Sequence, residues 1–147
     1  MALDLTKEFP RSPRERLGGI AILPRAIDKA RAQLAGTLGS YIYFDCGINR
    51  VLFTMLHVSD QQFLDAVARA KNDDDVLRWI REELQPSEAA IARMNAFIEH
   101  LEPRPEQQAH FDAMLQAADP GNTAVTRWVD LLDLEEGRLP KGSGAAT

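Results

Sequence analysis

The residues best suited to chemistry lie near the start of the chain, in the stretch Leu23-Pro24-Arg25-Ala26-Ile27-Asp28-Lys29. Arg25, Asp28 and Lys29 are spaced i, i+3 and i+4, so their side chains can meet on one face of a helix. A guanidinium can hold an oxyanion through two hydrogen bonds, and a desolvated lysine can accept a proton. The ordinary alternative is an ion-pair cluster on the surface, which contributes only about 0.3–0.5 kcal/mol per pair.

A second group of reactive side chains follows within twenty residues. Tyr41 and Tyr43, the two tyrosines of the chain, lie in the alternating segment Leu38–Phe44, which is predicted to be extended with both hydroxyls on one side. Asp45 is the predicted N-cap of the next helix, with Cys46 in its first turn, where a thiol can act as a nucleophile. The alternatives are core aromatics with hydroxyls bound to the backbone, and a small buried cysteine.

These two groups predict a pocket between the Ser12–Arg31 region and the Tyr41–Cys46 segment. Asp28 would orient Arg25 or act as a base, and Lys29 would add charge or transfer a proton. Asn95 lies on an apolar helix stripe, so it is either a buried amide with partners or a pocket-facing one. The predicted catalytic residues are Asp28, Lys29 and Tyr43, and the predicted ligand-binding residues are Arg14, Arg25, Tyr41, Cys46 and Asn95.

The elements that must position these side chains are predicted from hydrophobic periodicity and helix caps. Apolar residues recur at helical spacing in about seven short segments, which predicts an all-α, irregular single-domain bundle. Leu3–Pro10 is predicted to be an extended arm, and Ser12-Pro13-Arg14-Glu15 is typical of a capping box that opens a short helix. Pro24 is predicted to open the next helix, with Ile27, Ala30 and Leu34 facing inward. Ser59 and Gln62 predict a second capping box, and Thr123 is the predicted cap of the last helix. We expect the helical domain to cover residues 1–134 and a flexible tail to cover 135–147.

Composition narrows the class of protein. A chain of 147 residues with 45% hydrophobic residues suits one domain, and its net charge of -5 argues against general nucleic-acid binding. Residues 1–31 carry seven cationic and four acidic side chains, a net charge of +3, so the remainder carries -8 and an anion would be drawn to the first third. One cysteine and three histidines without ligand spacing predict no metal site and no cofactor. Without a membrane-length apolar run or a signal peptide, we expect a cytoplasmic protein.

The first third of the chain carries a recognisable series of motifs. Asp4-Leu5-Thr6-Lys7 precedes Pro10-Arg11-Ser12-Pro13-Arg14-Glu15-Arg16-Leu17-Gly18-Gly19, and Leu23-Pro24-Arg25, Asp28-Lys29, Arg31 and Leu38-Gly39-x-Tyr41-x-Tyr43 follow. This pattern, over roughly residues 3–45, resembles a family of small uncharacterised bacterial proteins classed as a domain of unknown function. The resemblance implies a bacterial origin and a single compact domain, and it assigns no activity.

The function predicted from these observations is binding of a small anionic molecule, a carboxylate or phosphate, at the N-terminal cluster. The sequence leaves open whether the protein also acts on that molecule. The alternative is a structural or interaction protein in which the charges pair internally and aromatics such as Trp79 or Trp128 form a homodimer face.

Overall fold

The computed structural model describes residues 3–143, and in this part of the chain the predicted all-α, irregular fold class is confirmed. The described residues form seven α-helices: α1 Leu23–Ala35, α2 Gly47–Leu56, α3 Asp60–Arg69, α4 Asp73–Trp79, α5 Glu88–His100, α6 Gln108–Ala118 and α7 Trp128–Glu135. A π-helix at Ile80–Leu84 directly follows α4, and a 3-10 turn at Pro105–Gln107 precedes α6. The strands of the described residues are β1 Arg16–Leu17 and β2 Ile20–Ala21, an antiparallel pair with Arg16 opposite Ala21.

The chain divides into two compact units, Met1–Ala96 and Phe97–Thr147. In the first unit α1 is the central element, because every residue from Leu23 to Ala30 is buried. Pro24 stands in its first turn, as predicted, where the missing backbone N–H costs nothing. Ile27 and Ala30 are fully buried, but Leu34 is half exposed, so its predicted inward position is wrong.

The hairpin formed by β1 and β2 replaces the short helix predicted at Ser12. Gly18 and Gly19 both have positive φ, 58° and 81°, which makes the tight turn between the two strands. The Ser12 hydroxyl accepts a hydrogen bond from the Arg14 backbone N–H at 3.1 Å, which closes a local turn instead of a capping box. The predicted helix is wrong because the two left-handed glycines end any helical run almost where it would begin.

The segment that joins α1 to α2 also differs from the prediction. Residues 38–46 contain turns and no strand, so the predicted extended segment is wrong. Asp45 has φ 59°, and Cys46 takes the N-cap position of α2 that was predicted for Asp45. Cys46 makes no side-chain capping bond. The capping box predicted at the start of α3 is confirmed, since the Ser59 hydroxyl accepts the Gln62 N–H and Gln62 returns a bond to the Ser59 N–H.

A row of aromatic rings runs through the core of the first unit. Tyr43 lies 6.1 Å from Phe53, Phe53 lies 4.9 Å from Phe63, and Phe63 lies 6.2 Å from Trp79, measured between ring centroids. The row connects the α1–α2 segment to α2, α3 and α4, because each ring comes from a different one of these elements. Tyr43, which lies outside the helices, is therefore a buried member of this packed row.

The second unit has its own apolar core, made by α6, α7 and the loop between them. Its buried residues are Phe111, Leu115, Val125, Leu131 and Leu134. Trp128 packs against Phe111 at 4.9 Å between ring centroids, edge to face. The helix predicted to begin at Thr123 begins instead at Trp128.

The stretch after α7 continues with turns as far as Ser143. Asp119 accepts a hydrogen bond of 2.7 Å from the Gly142 N–H. This bond, together with one from the Asn122 side chain, lowers the pKa of the Asp119 carboxyl. The predicted tail spans 135–147, of which residues 144–147 lie outside the described part of the chain. The boundary at 134 and the flexible tail remain predictions.

Candidate functional site

The three charged side chains of α1 are buried. Arg25, Asp28 and Lys29 are 2%, 3% and 4% exposed, so the alternative of a solvated surface cluster is wrong. Burying a charge is costly unless hydrogen bonds and opposite charges compensate it. Each of the three side chains contacts a different partner, so the three do not form one shared binding site.

Asp28 is the anchor of a hydrogen-bonded ion pair with Arg11, a residue that the sequence analysis did not single out. It accepts the Arg11 backbone N–H at 2.9 Å, the Arg11 Nε–H at 3.0 Å and the Arg11 Nη2–H at 3.0 Å. Asp28 was predicted to orient Arg25 or to act as a base. The three accepted N–H groups belong to Arg11, so the carboxylate holds the backbone and the guanidinium of that one residue at once. A role of Asp28 as a base remains a prediction.

The ion pair extends across the unit to α4. Arg11 Nη1 lies 2.8 Å from Asp73 Oδ2, and Arg31 Nη1 lies 3.0 Å from Asp73 Oδ1. Burial lowers the pKa of Arg11, but its hydrogen bonds to Asp73 and Asp28 outweigh that effect and raise the pKa overall. The hydrogen bond from Arg11 lowers the pKa of Asp73. The sequence gives no signal for this network, because Arg11 and Asp73 are 62 positions apart.

Arg25 and Tyr41, both predicted ligand-binding residues, contact each other. The Arg25 guanidinium carbon lies 5.8 Å from the centroid of the Tyr41 ring, a cation–π geometry, and Arg25 Nη1 donates to the Arg11 carbonyl at 3.1 Å. These contacts join the N-terminal segment to the α1–α2 segment over the buried face of α1. Both residues therefore have a structural role in the described chain.

Lys29 makes the contact that leads to a pocket. Its Nζ donates a hydrogen bond of 3.2 Å to the Sγ of Cys46, at the N-terminus of α2. Cys46 is half-buried and lines a cavity of about 230 Å³. The residues around this cavity are Tyr43, Asp45, Cys46, Arg50, Phe53, Thr54, Val58, Ser59 and Asp60. We call it the Cys46 pocket.

Tyr43 forms one wall of the Cys46 pocket and is fixed there. Its hydroxyl donates a hydrogen bond of 2.5 Å to the Asp60 backbone carbonyl. Burial raises the pKa of Tyr43, and the nearby carboxylates of Asp60 and Asp65 raise it further. Tyr43 is consequently a neutral hydrogen-bonding phenol at physiological pH, and a role as a base would need the charged form that its surroundings disfavour.

Asn95 and Arg14, like Arg25 and Tyr41, lie outside the set of residues that lines the Cys46 pocket. Asn95 Oδ1 accepts the Ala21 N–H at 2.9 Å, and Asn95 Nδ2 donates to the Gly19 carbonyl at 2.8 Å. The predicted buried amide with partners is therefore the correct alternative for Asn95, which holds the hairpin. Arg14 is half-buried beside the turn at Ser12 and does not line the pocket.

The structure thus brings Lys29, Tyr43 and Cys46 together and separates Arg14, Arg25, Asp28, Tyr41 and Asn95 from them. The pocket also uses Arg50, Ser59 and Asp60, which the sequence analysis did not propose. Arg50 could have been found from its position one turn after Cys46 on α2. The sequence identifies Ser59 only as the N-cap of α3, and a capping pattern does not indicate whether the residue lines a pocket.

One further polar side chain lies at the N-terminal end of α2. Asn49 is fully buried, and within the described part of the chain neither Nδ2 nor Oδ1 has a hydrogen-bond partner. An unsatisfied buried amide costs about 1–3 kcal/mol, so such groups are rare. It stands three residues after the N-cap Cys46, the spacing at which N-cap and N3 side chains are neighbours.

Within residues 3–143, no group of three or more His, Cys, Asp and Glu side chains is arranged to hold a metal ion. None of the helices in that range is both long and apolar enough to cross a membrane.

The family model described as a domain of unknown function, DUF5069, matches residues 7–138. The chain belongs to this family. The resemblance noted over residues 3–45 is confirmed at the level of an uncharacterised domain family, and the match extends it over both compact units. The bacterial origin and the cytoplasmic location remain predictions. No curated protein matches the chain.

Proposed function

We propose that the protein binds a small molecule with one carboxylate or phosphate group in the Cys46 pocket. The observation that carries the proposal is the hydrogen bond of 3.2 Å from the buried Lys29 ammonium to the Sγ of Cys46, a residue that lines the pocket. An ammonium in a site of low dielectric attracts an anion more strongly than a solvated one does.

Two further features of the pocket favour an anion. Cys46 is the N-cap of the ten-residue helix α2, whose first turn has no acidic side chain, so the positive end of its dipole is not neutralised locally. Arg50 lines the same pocket, and its only ion pair in the described chain is a loose one of 3.5 Å to the exposed Asp45. Asp45 and Asp60 also line the pocket, and their carboxylates would oppose a ligand with several negative charges. The pocket therefore suits a compact monoanion.

The size of the pocket limits the ligand further. A volume of about 230 Å³ is below the usual range of roughly 300–1,000 Å³ for drug-sized ligands. The lining combines the Tyr43 and Phe53 rings with polar groups, so the ligand would carry a short apolar part beside its anionic group. Phenyl-sized or branched small carboxylates meet both requirements.

The experiment is a thermal-shift panel of small carboxylates and phosphates, with hits measured by calorimetry. A ligand at 100 times its Kd raises the free energy of unfolding by about 2.7 kcal/mol, which gives a shift large enough to detect. Arg50→Met and Thr54→Trp change exposed positions of the pocket, so both should fold normally and weaken binding. Lys29→Met removes the buried charge, and Lys7→Met at an exposed position is its matched control.

The expected result is one class of small anion that stabilises the wild type and Lys7→Met but not Arg50→Met or Thr54→Trp. Silence across the panel would overturn the proposal, and so would binding that both pocket variants retain. Chemical-shift changes at the Cys46–Arg50 amides would locate the ligand independently of stability.

Exposed apolar side chains favour homodimerisation as a second candidate function. Phe9, Leu34 and Ile42 are about half exposed, and all belong to the first unit. Trp79 and Trp128, the predicted interface residues, are instead half-buried against Phe63 and Phe111. Sedimentation or light scattering over a hundredfold range of concentration tests this candidate, with Ile42→Ser as the variant that should remain monomeric.

A further inference from the structure

The contact between Lys29 and Cys46 joins two nucleophiles from different helices. Lys29 lies in α1 and is almost completely buried, while Cys46 begins α2, and their nitrogen and sulfur atoms are 3.2 Å apart. Cys46 is the only cysteine of the chain, so an oxidised Cys46 has no second thiol within the molecule to react with. The Lys29 amine, 3.2 Å from the sulfur, is a nucleophile in direct contact with it.

The Cys46 pocket gives a small oxidant access to this sulfur. Cys46 is half-buried and is one of the residues that line the pocket, and its sulfur lies 3.2 Å from Lys29 Nζ. A cavity of about 230 Å³ admits hydrogen peroxide or a small organic hydroperoxide. Oxidation of a cysteine depends on such access, and the fate of the product depends on which group lies next to it.

Asn49 is a buried polar side chain at the same end of α2 as Cys46. It is fully buried at the N3 position of α2, and its amide has no hydrogen-bond partner within residues 3–143. An oxygen atom added to Cys46 Sγ is a hydrogen-bond acceptor, which a neighbouring N–H donor would hold in place. The Asn49 Nδ2 group, three residues from Cys46 at the same helix end, is suited to that purpose.

We propose that the Lys29–Cys46 pair is an oxidation site at which a peroxide links the two side chains through a nitrogen–sulfur bond. In the first step Cys46 sulfur attacks one peroxide oxygen, the O–O bond breaks, and the thiol becomes a sulfenic acid with release of one water. The sulfur is oxidised and the peroxide is reduced.

In the second step the Lys29 ammonium gives one proton to solvent, and the free amine attacks Cys46 sulfur. The S–O bond breaks, the hydroxyl leaves with a proton from the amine as a second water, and an S–N bond forms. The overall reaction consumes one peroxide and yields the linked side chains, two waters and one proton. Asn49 holds the sulfenic oxygen until the amine reacts.

The link would join α1 to α2 across a loop of 17 residues. Closing a loop of this length covalently stabilises the folded state, and we expect the Tm to rise by roughly 5–10 °C. It would also remove the thiol from the wall of the Cys46 pocket. The inference stands on the pair and its surroundings and does not require the anion-binding function.

The test treats the intact wild-type protein with a slight excess of hydrogen peroxide and measures its mass before and after digestion with trypsin. The expected product is about 2 Da lighter than the untreated protein. The peptide that contains Cys46 should be joined to the one that contains Lys29, with loss of the trypsin cleavage after Lys29. Treatment with a thiol reductant should restore both peptides and the original Tm.

The variants separate this reaction from other oxidations. Cys46→Ser should show no mass change, and Lys29→Met should stop at a sulfenic or more oxidised Cys46, about 16 or 32 Da heavier. Asn49→Leu should give less linked product and more of the heavier species than the wild type. Lys7→Met, the exposed control, should link normally.

Three results would overturn the inference. The first is a wild-type protein whose Cys46 is oxidised to the heavier forms with both peptides separate. The second is a product about 2 Da lighter in which the change is confined to the Cys46 peptide, because that places the new bond on the backbone nitrogen of Gly47. The third is a disulfide-linked dimer as the main product. All three results are measured on the wild-type protein, so the test remains valid even if Lys29→Met folds poorly.

Discussion

Replacing Asp28 with asparagine tests the physical role of the buried charge on α1. The wild-type carboxylate accepts three N–H groups of Arg11, two on Oδ2 and one on Oδ1. Asparagine has nearly the same shape but only one acceptor oxygen. When the asparagine amide oxygen takes the place of Oδ2, the side chain still accepts the Arg11 backbone N–H and Nε–H. Its NH₂ group then faces the Arg11 Nη2–H, which loses its acceptor.

The expected cost follows from these three contacts. A hydrogen bond to a charged group contributes about 1.5–3 kcal/mol and one between neutral groups about 0.5–1.5, so the retained backbone N–H bond weakens by about 1 kcal/mol. The retained Nε–H bond keeps its cationic donor but loses the opposite charge of the acceptor, at a similar cost of about 1 kcal/mol. The third bond is lost outright, at about 2 kcal/mol, which brings the cost near 4 kcal/mol. Because the Arg11 side chain is 33% exposed, water recovers part of this, and we expect a loss of about 3 kcal/mol in the free energy of unfolding.

Urea unfolding at pH 7 measures this quantity, and the Tm should fall by roughly 6–12 °C for a chain of this length. Asp45→Asn is the matched control, since Asp45 is 88% exposed and lies 3.5 Å from Arg50, and it should change stability by less than about 0.5 kcal/mol. Arg11→Met and the double variant complete the cycle, with an expected coupling of about 2 kcal/mol. An Asp28→Asn variant as stable as Asp45→Asn, or a coupling near zero, would refute the reasoning.

Three further predictions concern the elements around the site. Asn95→Leu removes both hydrogen bonds to the hairpin backbone and should lower the free energy of unfolding by about 2–4 kcal/mol, with faster amide exchange in the hairpin; unchanged exchange there would contradict the assigned role. Asp73 has its pKa lowered from 3.8 by the hydrogen bond from Arg11, so its contribution is complete above that pH and is lost as the pH falls through the lower folded-state pKa. The stability difference between wild type and Asp73→Asn should therefore shrink on acidification below about pH 4, as followed by urea unfolding at several pH values, and a constant difference would rule out this linkage. A Cβ at Gly18 would lie 2.6 Å from a leucine methyl carbon, whereas one at Gly19 meets nothing within 4 Å; both glycines have positive φ. Gly18→Ala should therefore be less stable than Gly19→Ala by about 1 kcal/mol or more in urea unfolding, and equal stabilities would show that the hairpin shifts to accommodate the methyl group.

The sequence predicts the local features of this fold well, because they depend on neighbouring residues. Pro24 at the start of α1 and the Ser59 capping box at the start of α3 are both found where expected, since each depends on contacts within one helical turn. The all-α class follows from the helical spacing of apolar residues. The predicted helix at Ser12 fails because a capping pattern cannot by itself show that Gly18 and Gly19 turn the chain back.

The tertiary structure decides what the charged residues do. The sequence places Arg25, Asp28 and Lys29 on one helical face, but it cannot show that this face is buried, since burial depends on the segments that cover α1. Long-range contacts then assign three separate roles: Asp28 binds Arg11, Arg25 contacts Tyr41, and Lys29 reaches Cys46. The interaction energy of a charged side chain depends mainly on the groups within a few ångströms of it. Sequence spacing shows which residues are that close only when they belong to the same helix.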